Sequence, residues 1–107
     1  MSDSRASKGR LFLTGATGHT GCRVARRLLA DGWSLRCLVH TPERAKYLPE
    51  SDSLEIIAGD LARPAEWADH LAECKAMIHM AHIGFADDVV IACRNAGISR
   101  VIAFSST

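Results

Sequence analysis

The sequence predicts an α/β domain in which a five-stranded parallel sheet is sandwiched between two layers of helices. Two features carry the prediction. From Arg10 onward, short β-rich runs alternate with amphipathic stretches, and the first of these runs passes directly into a glycine-spaced turn. Size agrees: 107 residues, 48% apolar and 23% charged, amount to one ordinary domain with no room for a second. A chain this long buries about 65% of its unfolded surface, enough for one core without staples.

The elements follow in order. Leu11-Phe12-Leu13 is continuously apolar, as a strand covered on both faces must be. A helix over Thr20 to Ala30 carries Val24, Ala25, Leu28 and Leu29 at helical spacing and stops at Asp31-Gly32, with the glycine suited to the C-terminal cap. Leu35 to Val39 forms the second strand. Thr41-Pro42 then suits an N-cap followed by proline at the first helical position, opening a short helix to Leu48. Leu54 to Ala58 is the third strand, and Pro64 opens a helix to Cys74 with Trp67 and Leu71 turned inward. Ala76 to Ala81 is the fourth strand, Ala86 to Ala96 a helix closed by Gly97, and Arg100 to Phe104 the fifth strand. Right-handed crossovers give the order 3-2-1-4-5, with a ligand expected at the carboxyl ends between strands 1 and 4.

Charge and cysteine usage narrow the function. Thirteen basic and 12 acidic residues leave a net charge of +1, which offers no field to draw in nucleic acid or an anionic membrane. Arg23, Arg26 and Arg27 have the spacing of a solvated helix face. Cys22, Cys37, Cys74 and Cys93 are scattered without a CxxC pair and read as reduced thiols. Residues 1–9 are polar, read as a flexible leader outside a domain spanning 10–107, and lack the apolar core of a secretory signal. No stretch of 18 apolar residues occurs, so the expected address is cytoplasmic.

The strongest chemical signal is Thr14-Gly15-Ala16-Thr17-Gly18-His19-Thr20-Gly21, between the first strand and the first helix. Gly15 suits the tight turn off the strand, Gly18 the close approach of backbone to a pyrophosphate, and Gly21 the packing of helix against sheet. The helix N-terminus adds unpaired N–H groups and a positive dipole end. A Walker A turn is excluded because no Lys-Ser or Lys-Thr pair follows. Thr17, His19 and Thr20 carry polar hydrogens near the expected phosphates. Thr20 could equally cap the helix, His19 could simply face solvent, and the glycines alone could serve packing.

The TGATGHTG run after Leu11-Phe12-Leu13, then Gly59-Asp60-Leu61, then Asn95-Ala96-Gly97-Ile98-Ser99-Arg100-Val101, then Ser105-Ser106-Thr107, resembles the short-chain dehydrogenase/reductase superfamily. The glycine spacing resembles its extended and atypical branches, the nucleotide-sugar epimerases and dehydratases and the NmrA-like NAD(P)H-binding proteins. The resemblance covers residues 10–107 and implies a Rossmann-like three-layer sandwich holding NADP or NAD. Where NAD-preferring proteins place a carboxylate at the end of the second strand, this chain has His40-Thr41, with Arg44 one turn on and Arg36 earlier in the strand. That favours NADP, against which only Glu43 speaks. The family pattern further implies that Asp60 faces the adenine amino group with the Leu61 backbone alongside, although Asp60 could instead cap the following turn. It places Ala81 and His82 beside the nicotinamide-side ribose. His79 and His82, three apart on a strand, point to opposite faces and make no metal pair, so no metal site is expected.

For chemistry, the family pattern assigns Ser106, with Ser105 beside it, to the substrate oxygen. Its Tyr-x-x-x-Lys pair has no counterpart: the single tyrosine is Tyr47, followed four positions on by Ser51. A cofactor-binding module without a general acid of its own is the first expectation. The second is the cofactor half of an oxidoreductase or epimerase completed by further residues or another subunit. The third is a redox-sensing or assembly protein, with a homodimer or partner engaging the exposed edge of the fifth strand or the helix bearing Val89, Val90 and Cys93.

Overall fold

The glycine turn leaves the carboxyl end of the central strand of a five-stranded parallel sheet. The computed structural model describes residues 8–80, 86–98 and 100–103. The strands are β1 (Arg10–Thr14), β2 (Ser34–Val39), β3 (Leu54–Ala58), β4 (Ala76–His79) and β5 (Val101–Ala103), ordered β3-β2-β1-β4-β5 as the sequence predicts. Every neighbouring pair is parallel, and Thr14 ends β1 opposite Leu38 of β2 and His79 of β4. Backbone bonding reaches back beyond β1, with Lys8 N–H donating to Gly32 O and Ser34 N–H to Gly9 O.

The sheet is buried on both sides because its apolar residues alternate between two cores. Leu11, Leu13, Leu35, Cys37, Val39 and Ile78 pack beneath α1 (His19–Ala30), which contributes Ala25, Leu28 and Leu29. Phe12, Leu38, Ile57 and Met77 face the other way, against Trp67, Leu71 and, from α2 (Ala86–Asn95), Ala92 and Cys93. Arg23, Arg26 and Arg27 are exposed on α1, as their spacing predicts. Gly32 follows α1 at φ +99° and Gly97 follows α2 at φ +82°, the left-handed terminations expected of them.

Two crossovers depart from the helices read in the sequence. Pro42–Tyr47 is a 3-10 turn with no buried residue, so it has no apolar stripe to sustain a longer helix. Pro49 then holds Leu48 extended, at φ −88° and ψ 150°, which ends the segment. The helix expected from Pro64 to Cys74 is instead two 3-10 turns, Pro64–Glu66 and Ala68–Leu71, broken at Trp67 with φ −134°. Tertiary demand on Trp67 explains the break. Its ring stacks on Phe12 at 5.6 Å, and its Nε1–H donates to Asp60 O at 3.0 Å, so packing overrides local propensity. Trp67 and Leu71 are nevertheless fully buried, as the four-residue spacing predicts. The strand read over Ala76 to Ala81 leaves the ladder after His79, and Ala81, Ser99 and Phe104 lie outside the described residues.

Candidate functional site

The carboxyl ends of β1, β2 and β3 open on a cavity of about 210 Å³ lined by Thr14, Gly15, Thr17, Leu38, His40, Thr41, Arg44, Gly59 and Leu61. Six residues singled out from the sequence thus meet in one place: Gly15, Thr17, His40, Thr41, Arg44 and Leu61. The topology accounts for this, because parallel strands end together at one edge and their following loops share it. Two larger depressions lie elsewhere. One, between the paired 3-10 turns after β3 and α2, is about 490 Å³; the other, about 530 Å³, lies against Leu11, Trp33, Ile78 and Ile102. Neither touches the glycine turn, whereas the smaller cavity gathers polar groups at the carboxyl ends of the strands.

The glycine turn is built by contact. Gly15 takes φ +74°, and its carbonyl accepts the Gly18 N–H at 3.2 Å. A Cβ at Gly21 would lie 2.0 Å from Gly15 O and 2.8 Å from Ala16 Cα, so the first turn of α1 closes directly onto the loop. This refines the expected role of Gly21: the close approach is to the glycine loop itself. Gly18 is the N-cap of α1, and no side chain caps that turn. Thr20 is therefore not the cap. It sits exposed inside the first turn beside exposed His19. At Gly18 a Cβ would meet Gly15 O at 3.4 Å, ordinary van der Waals distance, so the backbone there has room beside it.

The β2 and β3 ends are more polar. Thr41 occupies the expected N-cap position, but its backbone carbonyl, not its hydroxyl, accepts from Arg44 N–H, at 2.9 Å. The Arg44 guanidinium lies 5.8 Å from the Tyr47 ring. Asp60 performs the capping role: Oδ1 accepts the Ala62 N–H at 2.9 Å, while Oδ2 lies 3.9 Å from Nε2 of His40. Its backbone is held on both sides, N–H donating to Glu66 Oε1 and carbonyl accepting from Trp67. Arg36 is not available to a ligand. Nε donates to Glu55 Oε1 at 2.9 Å and NH1 to the carbonyls of His70 and Ala72, so its place in β2 makes it a brace between strand and crossover.

One pair escapes sequence reasoning. Thr14 Oγ1 lies 2.6 Å from Nδ1 of His79, both side chains fully buried, and the same oxygen accepts Met80 N–H at 3.2 Å. The pair ties the start of the glycine turn to the end of β4, at the point where strand order reverses. Its only signal was a polar residue ending each of two neighbouring strands. Burial pushes the Cys37 thiol up to about 12 and, with the neighbouring Cys74 thiol, Cys93 up to about 11. These thiols are packing groups and poor nucleophiles at neutral pH. Among the described residues no three His, Cys, Asp or Glu side chains gather as a metal site, and no helix is long and apolar enough to cross a membrane. Ala81, His82, Ser105 and Ser106 lie outside the described residues.

A nicotinamide dinucleotide fits this donor set. Its pyrophosphate suits uncapped helix amides beside glycine backbone, and its adenosine suits a pocket with one apolar wall at Leu38 and Leu61 and polar groups at the rim. Comparison with known proteins points the same way. Residues 15–107 match the profile of a family described as NAD(P)H-binding. A photosystem II assembly factor of Guillardia theta is 31% identical over 108 residues, covering 89% of this chain and 34% of that protein. A Bordetella bronchiseptica enzyme solved in complex with NAD superposes with a TM-score of 0.78 at 18% identity, over 90% of this chain and 37% of that one. A Veillonella parvula short-chain dehydrogenase/reductase in complex with NADP superposes with a TM-score of 0.76 at 16% identity, over 88% of this chain and 46% of that one. The chain thus spans about a third of its curated relative and less than half of either solved chain.

Proposed function

The chain belongs to the NAD(P)H-binding family within the extended short-chain dehydrogenase/reductase superfamily, and from that premise we propose that it is a cofactor-holding module without a general acid of its own. The observation that carries this reading is the meeting of Gly15 and Thr17 of the glycine turn with the His40-Thr41-Arg44 rim around one cavity, the turn leading directly into the uncapped start of α1. In this reading residues 10–107 are the binding domain. Gly15, Thr17, Gly18, His19 and Thr20 surround the pyrophosphate, with Gly21 holding the turn closed. His40, Thr41 and Arg44 meet the adenosine ribose, while Asp60 and Leu61 lie along the adenine. Ala81 and His82 serve the nicotinamide end, and Ser106 a substrate oxygen.

NADP is favoured over NAD because no carboxylate stands at position 40 and the Arg44 cation lines the cavity. When bound, the cofactor supplies a hydride donor or acceptor. These 107 residues add no Tyr-x-x-x-Lys pair to move the accompanying proton. A second reading, favoured by coverage of only 34% of the curated relative, is that residues outside this sequence or a partner subunit complete an oxidoreductase or epimerase. A redox-reporting or assembly role in a reduced, cytoplasmic setting is the non-enzymatic form of the same module. The name of the photosystem II assembly factor favours it.

Calorimetric titration with NADPH and NADH tests the reading, with Gly18→Asp as control. The backbone at Gly18, φ −77°, accepts any residue and an aspartate suits an N-cap, so the variant keeps its fold. The expected result is binding by the native chain, tighter for NADPH, and none by the variant. Absence of binding by the native chain, or equal binding by both, overturns it.

A further inference from the structure

We propose that the apolar trough beside α1, rimmed by Lys75 and Arg100, is the docking site of an amphipathic helix from a partner polypeptide, one that carries carboxylates alongside its apolar stripe. The trough is the depression of about 530 Å³ bounded by Leu11, Leu28, Trp33, Ile78 and Ile102, and it shares no residue with the cofactor cavity. Topology leaves it open. α1 packs over β1 and β2 on one face of the sheet, whereas the 3-10 turns after β3 and α2 pack on the other. Among the described residues no helix therefore lies over β4 and β5 on the α1 face, where Ile102 is 44% exposed. Parallel sheets occur with both faces covered by helices, so this half-face is an acceptor for one.

Charge decides the occupant. Lys75 and Arg100 are both exposed, no carboxylate lines the trough, and neither cation has an ion pair among the described residues. Arg10 and Arg36, by contrast, are answered by Glu55 and Glu73. A second copy of this chain would set the same two cations against themselves across a two-fold axis, which opposes self-association through this face. A helix laid beside α1, in the same direction, brings the negative end of its dipole to Lys75 and Arg100. Carboxylates flanking its stripe pair with these cations, while apolar side chains at i, i+3, i+4 and i+7 fill the space between Leu28, Trp33, Ile78 and Ile102. About ten residues span strands of this length, and α1 itself has 12.

The test uses the native chain and two stapled helical peptides of about 14 residues with the same apolar stripe, one flanked by glutamates and one by lysines. Trp33 lines the trough and Trp67 is fully buried, so a blue shift of tryptophan emission reports docking. At low salt the glutamate peptide should bind about tenfold more tightly than the lysine peptide, the difference that two rim ion pairs supply, and lose that advantage as salt rises. Lys75→Glu combined with Arg100→Glu should invert the preference. Ile102→Asp should abolish docking of both peptides. All three side chains are exposed, so thermal midpoints should stay native. Failure of both peptides to bind the native chain overturns the proposal, as does equal binding that charge reversal leaves unchanged. Self-association in sedimentation equilibrium that Ile102→Asp removes would assign the trough to a second copy and overturn it too. None of these outcomes bears on NADPH titration, because the two sites have no residue in common.

Discussion

The two ends of the sheet use charge in opposite ways. At the amino end, Arg10 and Arg36 are answered by Glu55 and Glu73: Arg36 Nε lies 2.9 Å from Glu55, and Glu73 reaches both arginines, at 3.3 and 3.7 Å. Glu73 takes φ +71°, a strained conformation for a side-chain residue, as it brings that carboxylate into place. At the carboxyl end, Arg44 has no ion pair among the described residues, and α1 begins without a side-chain cap. Charges spent on one another brace β1, β2, β3 and the crossover into β4. Donors left unspent at the other end are what a phosphate-bearing ligand needs.

The largest break in this contrast comes from Gly21→Ala. Its Cβ would fall 2.0 Å from the Gly15 carbonyl, a backbone atom that cannot step aside. The open end then loses its turn, at a cost of about 3 kcal/mol in urea unfolding. Gly18→Asp, with 3.4 Å of room, should leave stability near native while ending cofactor binding. Equal stability of the two variants would show that the close Gly21 contact does not hold the turn.

Thr14→Val probes the seam between the two halves of the sheet. It removes the oxygen at 2.6 Å from His79 and 3.2 Å from Met80 N–H, at a cost of about 2 kcal/mol for disrupting a buried polar pair. A cost within about 0.5 kcal/mol would mean that the backbone bond from Met80 N–H to Thr14 O suffices to hold the seam.

Strand order and the clustering of Gly15, Thr17, His40, Thr41, Arg44 and Leu61 were legible because they follow from alternation along the chain and from parallel topology. Continuous apolar strands declare themselves, and their carboxyl ends must share one edge. What was hidden depended on register. Thr14 and His79 are 65 residues apart, and nothing local says that they face each other. Arg36 looked free for a phosphate until the β2–β3 register set Glu55 opposite it. The crossover between β3 and β4 reads as a helix by its four-residue apolar spacing. Only the stacking of Trp67 on Phe12 and its bond to Asp60 break it into two turns.

Arg36→Met separates the two ends directly. It deprives Glu55 and the carbonyls of His70 and Ala72 of their partner, and should cost about 1.5 kcal/mol while leaving NADPH affinity unchanged. A drop in affinity equal to that at Arg44 would place Arg36 in the cofactor site after all. Alkaline pH loosens the cores on the two faces of the sheet without regard to either end, because Cys37 lies in one and Cys93 of α2 in the other. Cys37 and Cys93 have folded-state values of about 12 and about 11 against an ordinary 9.0. The stability they contribute is full below pH 9 and is lost as pH rises through 11 to 12. Urea unfolding at about pH 10 should show a loss of about 1 kcal/mol per thiol relative to pH 8, reduced in Cys37→Ala. A pH-independent midpoint would contradict it.

The smallest effect on stability, and the sharpest on function, belongs to Arg44→Ser. Arg44 is exposed on a 3-10 turn with no buried residue, and its guanidinium lies over the Tyr47 ring, at 5.8 Å. An exposed cation–π contact is worth about 0.5 kcal/mol, so the urea midpoint should scarcely move. NADPH affinity, in contrast, should fall about tenfold, with NADH affinity nearly constant, because a charge-assisted contact to phosphate is lost and the other cation of the turn, Lys46, lies over the Tyr47 ring and does not line the cavity. Together with Arg36→Met this makes a crossed pair: one arginine whose removal costs the fold and spares the ligand, another whose removal spares the fold and costs the ligand. If both variants lowered stability and affinity in parallel, the ends of the sheet would not be divided in their roles, and charge pairing would not tell brace from binding site in this fold.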